Sequence, residues 1–307
     1  MKLFQTCFHF IFSSRVFAVI FSLVSTSIVA QQASVPAQNH LGFNLQQKGD
    51  FYASWGYNKS WFNKSDIHFS GQGHDFVLYD VKAKDRPSEL NFDYINPSKL
   101  TIPQFNFHIG YFISDKYSIS IGWDHMKYVA VDFQKVIMKG FVDPSGVSDS
   151  LIKSNMEHLN SKYSPSGTYQ NVEVQMTPND FVDYEHTDGL NYASIEIERY
   201  DELWQNLKNN KLGITLVSGV GTGLIIPRTY AHLFGSGRNH YWNVSGWGIN
   251  TKVGLKLNLT RHIYLQTDIK YGYLRMQNVY TTDRHQLDKA QQTIVFYENY
   301  WLIGFRF

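Results

Sequence analysis

The chain has 307 residues, and its 28 basic and 26 acidic residues give a formal net charge of +2 at pH 7. So small a charge excludes the basic excess that is typical of nucleic-acid-binding proteins. The 20 Tyr, 22 Phe and 7 Trp occur in a chain whose mean hydropathy is only −0.31. Many aromatic residues in a hydrophilic chain are typical of strands that have one apolar face and one polar face.

The N-terminal residues have the features of a secretory signal peptide. Lys2 and Arg15 supply positive charge, a mostly apolar run follows, and the small residue Ala30 precedes a polar segment. The apolar run is shorter than the ~20 residues that a membrane-anchoring helix needs. We therefore expect residues 1–30 to be removed, together with Cys7, the single cysteine. The mature chain would then have neither disulfides nor thiol chemistry, and residues 31–48 would form a periplasmic N-terminal segment.

Residues 49–307 show the period-2 alternation of half-buried strands. In the clearest case, Phe105, Phe107 and Ile109 alternate with polar residues. The sequence predicts eight strands, at about 51–61, 104–113, 117–131, 189–200, 211–227, 242–259, 263–277 and 293–307. The alternation places Ile249 and Val253 on the apolar outer face.

The links between these strands alternate in length. Those after the second, fourth and sixth strands are short, whereas residues 62–100 and 132–188 form long links. In transmembrane β-barrels, short turns are periplasmic and long loops are extracellular. If these eight strands close into such a barrel, both of its ends are expected in the periplasm. Residues 74–80 could add two strands to give a ten-stranded wall. A hairpin above the membrane is favoured, because the charged run 80–86 suits water better than lipid.

The C-terminal strand, Trp301 to Phe307, alternates strictly and ends on an aromatic residue. It resembles the last strand of bacterial outer-membrane β-barrels, in which the terminal Phe serves as the assembly signal. The resemblance implies a closed antiparallel transmembrane barrel in the bacterial outer membrane. It also implies that Phe307, with Phe305, is read by the barrel assembly machinery, and that membrane lipid surrounds the protein. The runs 56–61, 66–69 and 80–87 also resemble uncharacterised barrels of Bacteroidota-type bacteria, which imply no activity.

The alternation predicts a polar set of side chains inside the barrel. Eight strands enclose an interior that side chains fill, and buried charges require partners. We interpret the set as a structural salt-bridge network, with an ion path as the alternative. Its members are His108, Asp124, Glu196, Glu198, Lys252, Asp268, Lys270, Glu298 and Arg306.

Candidate chemistry is sparse. His125, His186 and Asp124 are the candidate catalytic residues, but Ser120 falls on the opposite strand face from His125. Asp183, Glu185 and Asp188 could supply oxygen ligands to calcium, although their spacing is not that of an EF-hand loop. A solvated acidic loop is the alternative interpretation of these three residues. No motif indicates a cofactor.

The sequence favours a structural or binding role through the two long extracellular links, and it does not identify the ligand. Mobile loops on a rigid scaffold often carry function, and aromatic residues are common anchors at binding surfaces. The same aromatic residues could instead pack together and cap the barrel. They are Trp61, Phe62, Phe76, Tyr79, Tyr94, Phe133, Phe141, Tyr163 and Tyr169. A lipid-modifying enzyme, either an acyl hydrolase or a transferase, is one alternative, and a narrow channel is another.

Overall fold

A computed structural model describes residues 45–89, 103–206, 212–236, 242–282, 284 and 287–307. The expected signal peptide, residues 31–44 of the N-terminal segment, and Tyr94 lie outside these residues. No helix in the described ranges is long and apolar enough to cross a membrane. The helix α1 spans Ser150–Tyr163. The strands are β1 Phe51–Phe62, β2 Ser65–Gly71, β3 His74–Val81, β4 Ala83–Lys84, β5 Phe105–Ser114, β6 Tyr117–Ala130, β7 Lys135–Val142, β8 Thr168–Gln175, β9 Val182–Gln205, β10 Gly213–Pro227, β11 Tyr230–Leu233, β12 Gly246–Asn258, β13 Ile263–Tyr280 and β14 Lys289–Arg306.

Eight antiparallel strands form a closed ring, in the order β1, β5, β6, β9, β10, β12, β13 and β14. The ring closes where β1 pairs with β14, from Tyr52 opposite Arg306 to Phe62 opposite Phe296. The predicted eight-stranded barrel is confirmed, and the ten-stranded alternative is not observed. Two strands begin earlier than predicted: β9 begins at Val182 and β14 begins at Lys289. Both extend beyond the ring at the same end.

The outer face of the ring carries a belt of exposed apolar side chains. Ile121 is 67% exposed and Ile195 is 59% exposed, whereas Ser120 and Glu196 beside them are buried in the lumen. Ile249 and Val253 also face outward. An exposed apolar belt of this kind is favourable in lipid and unfavourable in water. The closed ring also pairs its own backbone N–H and C=O groups, as a membrane-spanning structure must. The ring is therefore a transmembrane barrel of the outer-membrane type.

At the short-turn end of the barrel, the seam between β1 and β14 ends with Phe51 and Phe307. The Phe307 N–H donates to the Phe51 carbonyl, and the Phe51 N–H donates to the Phe307 carbonyl, each at 2.9 Å. The Phe307 ring is exposed on the lipid side, 6.4 Å from the ring of Phe51. Phe305 is outward-facing as well. Their recognition by the assembly machinery remains a prediction.

The long links are folded, and together they form what we call the outer cap: β2, β3, β7, α1, β8, β11 and the first part of β9. β14 pairs first with β2, and the sheet continues through β3 and β7 to β8. Residues 74–80 are thus in a hairpin above the ring, the arrangement favoured from sequence. Residues 132–188, expected as one long loop, instead contain two strands, a helix and the start of β9. The alternation of the membrane strands cannot reveal them, because no lipid face is required above the membrane.

The outer cap has an apolar core that continues into the outer end of the lumen. The Asp149 side chain accepts the N–H groups of Leu151 and Ile152, which caps α1. α1 then buries Met156 and Leu159. The core is built from large side chains with almost no exposure, including Phe69, Phe76, Leu78, Tyr128, Tyr184, Phe234, Leu274, Ile294 and Phe296.

Candidate functional site

The middle of the lumen holds a connected network of charged side chains. Lys252 Nζ lies 2.5 Å from Glu196 Oε2 and also contacts Glu198. Lys270 Nζ lies 2.5 Å from Asp124 Oδ2 and 2.9 Å from Glu196 Oε1. All five side chains are at most 2% exposed. The two lysines therefore bind three carboxylates in a region without solvent.

Further polar side chains extend this network. Asn106 Nδ2 donates to Asp124 Oδ1 at 2.6 Å and to Glu298 Oε1 at 3.2 Å. His108 Nε2 lies 3.7 Å from Glu196 Oε2. Asp268 is also buried in the lumen, where it accepts hydrogen bonds from Gln266. These contacts are those of a structural network.

Arg306 is the exception among the predicted lumen residues. Its Nε and Nη2 donate to the Arg261 carbonyl, at 3.0 and 2.7 Å, and its nearest carboxylate is Asp50 at 3.7 Å. Arg306 ends β14 beside the turn that joins β12 to β13. It therefore closes the short-turn end of the lumen, where its contacts are with Arg261 and Asp50 and not with the acids at the centre.

Below the network, Lys256 lies in a cage of aromatic rings that the sequence analysis missed. Its Nζ is 3.9 Å from the ring centre of Tyr264 and 5.0 Å from that of Tyr200, with Phe112 and Tyr52 slightly farther away. Nζ has no hydrogen-bond partner among the described residues. The rings attract the cation through their negative faces. The sequence signal for this cage is that a lysine and several aromatic residues face inward near the same end of their strands.

The lumen is filled from end to end with different chemistry at each level. The aromatic cage lies below, the charged network in the middle, and the apolar core of the outer cap above. Glycine makes room for the charges, since a Cβ on Gly221 would lie 2.7 Å from Glu196 Cγ and from Asn250 Oδ1. This filling is unfavourable for a diffusion pore.

The three candidate catalytic residues do not form one active site. Asp124 is in the lumen and bound to Lys270. His186 is fully buried inside the outer cap, with Nδ1 3.0 Å from Thr229 Oγ1, and this burial lowers its pKa to about 3. His125 has the opposite strand parity from Asp124 and so lies on the outer side of the wall, where it is 4% exposed. Only His125 is placed beside the membrane.

His125 lies in a groove of about 560 Å³ on the outer wall, which we call the rim groove. The groove lies just above the apolar belt, where β5, β6 and β9 pass from membrane to cap. Its lining combines aromatic, amide and charged groups: Phe105, Phe107, Trp123, His125, Lys127, Thr187, Asp188, Asn191, Arg228 and Trp242.

The His125 ring is fixed by its neighbours. His125 Nδ1–H donates to Asn191 Oδ1 at 2.7 Å, and the Trp123 indole N–H donates to the same oxygen at 3.1 Å. Asn191 Nδ2 donates to the Ile226 carbonyl, which fixes the orientation of the amide. The imidazole also stacks on Phe105, with 5.3 Å between ring centres. In the neutral ring, Nε2 is then an acceptor.

Two cations border the rim groove on its outer side. Lys127 Nζ donates to Ser88 Oγ at 3.0 Å, and Arg228 Nη1 lies 3.7 Å from Asp188 Oδ2. The groove residues come from β5, β6, β9 and the segment after β10, which are separate in sequence. Only the register of the ring brings them together.

The candidate calcium ligands line a neighbouring acidic pocket of about 230 Å³. Arg86 Nη2 lies 3.0 Å from Glu185 Oε2, and Asp188 faces Arg228. Burial, with the nearby charges of Glu185 and Asp132, raises the pKa of Asp183 to about 6. Within the described ranges no three His, Cys, Asp or Glu side chains are arranged to hold a metal ion. The arrangement gives the calcium hypothesis no support.

The sequence matches no protein-family model, and it matches no curated protein. Similar solved structures include the outer membrane protein OprG from Pseudomonas aeruginosa, with 11% identity and a TM-score of 0.38 over 85% of this chain and 97% of that one. Ail of Yersinia pestis has 11% identity and a TM-score of 0.31 over 85% and 99%. Neisserial surface protein A has 10% identity and a TM-score of 0.28 over 82% and 98%. On its closed ring and apolar belt, the chain has the fold of an eight-stranded transmembrane β-barrel with a folded outer cap.

Proposed function

We propose that this protein acts by binding a polar extracellular ligand at its outer cap, on top of a barrel that does not conduct. The observation that carries the proposal is the continuous apolar core, which joins the cap to the outer end of the lumen. This core fixes the cap to the rigid barrel and blocks the route from the outside to the charged network. Binding surfaces on rigid scaffolds lose little conformational entropy when the ligand binds.

The cap has one groove suited to such a ligand. It has a volume of about 700 Å³ and lies between β7 and the C-terminal part of α1. Phe141, which is 47% exposed, offers an aromatic face, while Glu157, Ser161 and Ser166 offer polar groups. An aromatic face with several hydroxyl and carboxylate groups favours a polar ligand such as a glycan. Phe76 and Tyr169 are buried, so only part of the predicted aromatic set is available for binding.

The test has two arms. In planar bilayers, the purified protein should show no steady conductance, and a sustained open current would contradict the closed barrel. On an immobilised glycan array, binding should fall at least tenfold in Phe141→Ala. Phe133→Ala, which removes an aromatic residue that is 61% exposed elsewhere on the cap, is the control. Absence of binding by the wild type, or equal binding by both variants, would contradict the cap groove.

A lipid-modifying enzyme is the second candidate, because His125 is held by Asn191 at the lipid-facing wall with Nε2 as an acceptor. A proton acceptor fixed beside lipid is the one part of a hydrolytic site that this wall supplies. Lipid mass spectrometry of cells should then show an altered profile in His125→Ala. His186→Ala is the control, since its ring lies inside the cap. Unchanged lipids in His125→Ala and in cells without the protein would remove this candidate.

A further inference from the structure

The position of the rim groove relates it to the outer leaflet of the membrane. Directly below it on the same strands are Ile109, Ile121 and Ile195, which are among the most exposed apolar residues of the belt. Above it are the charged side chains of the cap. The groove therefore spans the level at which lipid headgroups meet their acyl chains.

We propose that the rim groove binds one phosphorylated glycolipid of the outer leaflet. This site is separate from the cap groove, and the inference does not depend on the cap binding a ligand. The lower half would hold the start of an acyl chain, and the upper half would hold a phosphate and a sugar hydroxyl.

The lower half of the groove is an aromatic recess open to the belt. Phe107 and Trp123 form its floor, and Trp242, 51% exposed, forms one wall. Aromatic girdles line both interfaces of most membrane barrels, so these rings alone do not make a site. A groove of about 560 Å³ in which these rings adjoin fixed polar groups is what distinguishes this part of the girdle.

The upper half is suited to an anion. Lys127 donates to a neutral hydroxyl, that of Ser88, and its nearby carboxylates are those of Asp85 and Asp188. Arg228 faces Asp188 at 3.7 Å, on a part of the surface where both side chains are exposed. The lining of the groove thus presents two cations against one carboxylate. Lys and Arg bind phosphate through short charge-assisted hydrogen bonds.

His125 distinguishes a hydroxylated headgroup from phosphate alone. The Nδ1–H group of His125 donates to Asn191. In the neutral ring, Nε2 can therefore accept a hydrogen bond from a hydroxyl group. A sugar next to a phosphate provides both partners at once. A phosphate without a neighbouring hydroxyl would leave Nε2 of His125 without a hydrogen-bond donor from the ligand.

The experiment measures lipid retention. The full protein is placed in phosphatidylcholine nanodiscs that contain a small fraction of diphosphoryl lipid A, then released into mild detergent. Native mass spectrometry counts the lipid A that stays bound. Parallel nanodiscs contain phosphatidylglycerol in place of lipid A, and a further sample receives millimolar inorganic phosphate.

Lys127→Gln combined with Arg228→Gln should reduce retained lipid A about tenfold, the effect of losing roughly 1.4 kcal/mol of binding. The matched control is Arg275→Gln. Arg275 is exposed on the outward face of β13, opposite Trp247 and four strands away from β6 in the ring. This control should retain lipid A like the wild type. Circular dichroism checks folding, and Lys127→Gln alone, expected to lose several-fold, replaces the double variant if that does not fold.

Three results would overturn the proposal. The first is equal retention by the variant and the wild type, or an equal loss in Arg275→Gln. The second is equal retention of phosphatidylglycerol, which would show general capture of anionic lipid. The third is displacement of lipid A by inorganic phosphate, which would show a free-phosphate site. Lipid A loss in the groove variants alone, with unchanged glycan binding by the cap, supports the rim groove independently of the proposed cap function.

Discussion

The lumen and the interior of the outer cap are both sealed from water, yet their chemistry is opposite. The lumen holds Lys252, Lys270 and their carboxylate partners, whereas the cap interior holds residues such as Phe76 and Leu78. The difference follows from what lies outside each wall. Lipid takes the apolar face of each membrane strand, which leaves the polar face inside. Above the membrane the outer face meets water, and the apolar face turns inward.

One strand contains both arrangements. In the membrane part of β9, Ile195 and Ile197 face lipid while Glu196 faces the lumen. In the outer part of β9, Asp183 faces outward and Tyr184 is buried in the cap core. The parity of the strand is continuous, but the polarity of its two faces exchanges near Gly189. A strand can therefore cross from one solvent to another without changing its fold.

The largest effect should come from removing one lysine of the lumen network. Lys270→Met leaves Asp124 buried without its closest cation and leaves Glu196 with Lys252 as its remaining lysine partner. Breaking a buried pair in this way costs ~3–5 kcal/mol. Urea unfolding of the purified barrel in lipid vesicles, followed by tryptophan fluorescence, measures the change. Lys135→Met removes an exposed partner of Glu173 on the cap and should change stability by less than ~1 kcal/mol. Similar losses in both variants would mean that the lumen is hydrated.

A cavity in the cap core should have the next largest effect. Leu78→Ala removes a fully buried side chain, and such changes cost ~2–5 kcal/mol. The loss should appear as faster hydrogen exchange in β3 and β7, with the membrane strands still protected. Val77→Ala on the opposite face of β3, where the residue is half-buried, should cost less. Simultaneous loss of protection in the ring would show that cap and barrel unfold as one unit.

A smaller effect should follow acidification of the cap. Burial lowers the pKa of His186 to about 3, so the folded cap prefers the neutral ring. The unfolded chain binds the proton with a pKa near 6.5. Stability from this residue is therefore present above pH 6.5 and is lost as the pH falls toward 3, by roughly 1 kcal/mol at pH 5.5.

His186→Asn keeps a polar group near Thr229 but does not titrate. The difference in unfolding free energy between the wild type and this variant should shrink between pH 7.5 and pH 5.5. Asp183 has a raised pKa, so it stabilises the folded cap as the pH falls. Because Asp183 is present in both proteins, its contribution cancels in the difference. A difference that does not vary with pH would show that His186 is not kept neutral by the cap.

The smallest effect should come from the caged lysine. Among the residues that the structure describes, the close partners of Lys256 are aromatic rings and include no carboxylate. Lys256→Met keeps the length of the side chain and leaves no buried acid without a cation. Replacing a buried charge by an apolar side chain of similar volume is often neutral or stabilising, so the change should be under ~1 kcal/mol. A loss as large as that of Lys270→Met would show that the cage binds the charge tightly.

The ring was predictable because lipid imposes a period on every strand. A single alternation rule predicts that Ile249 and Val253 face outward and that Glu196 and Lys252 face inward. The rule cannot show which lumen charges meet, since Lys270 contacts Asp124 across 146 positions of the chain. The same rule predicts that Arg306 faces the lumen, but it does not show that Arg306 lies at the end of the barrel, beside Arg261 and Asp50.

The cap and the rim groove were harder to predict. Helix α1 has a sequence signal that was overlooked, namely Asp149 as N-cap and apolar residues at 152, 156 and 159. The strands of the cap are short and carry no lipid face. The contact between His125 and Asn191 joins residues that are 66 positions apart. It depends on the register between β6 and β9, which local patterns do not encode.

The pairing of β14 with both β1 and β2 has a consequence for folding. The first and last strands of the barrel meet at one seam, and β2 can join β14 only above that seam. Contacts between such distant parts of a chain form slowly. Pairing of β2 with β14 is therefore expected to follow closure of the barrel. An epitope formed where β2 meets β14 would act as an indicator of finished assembly.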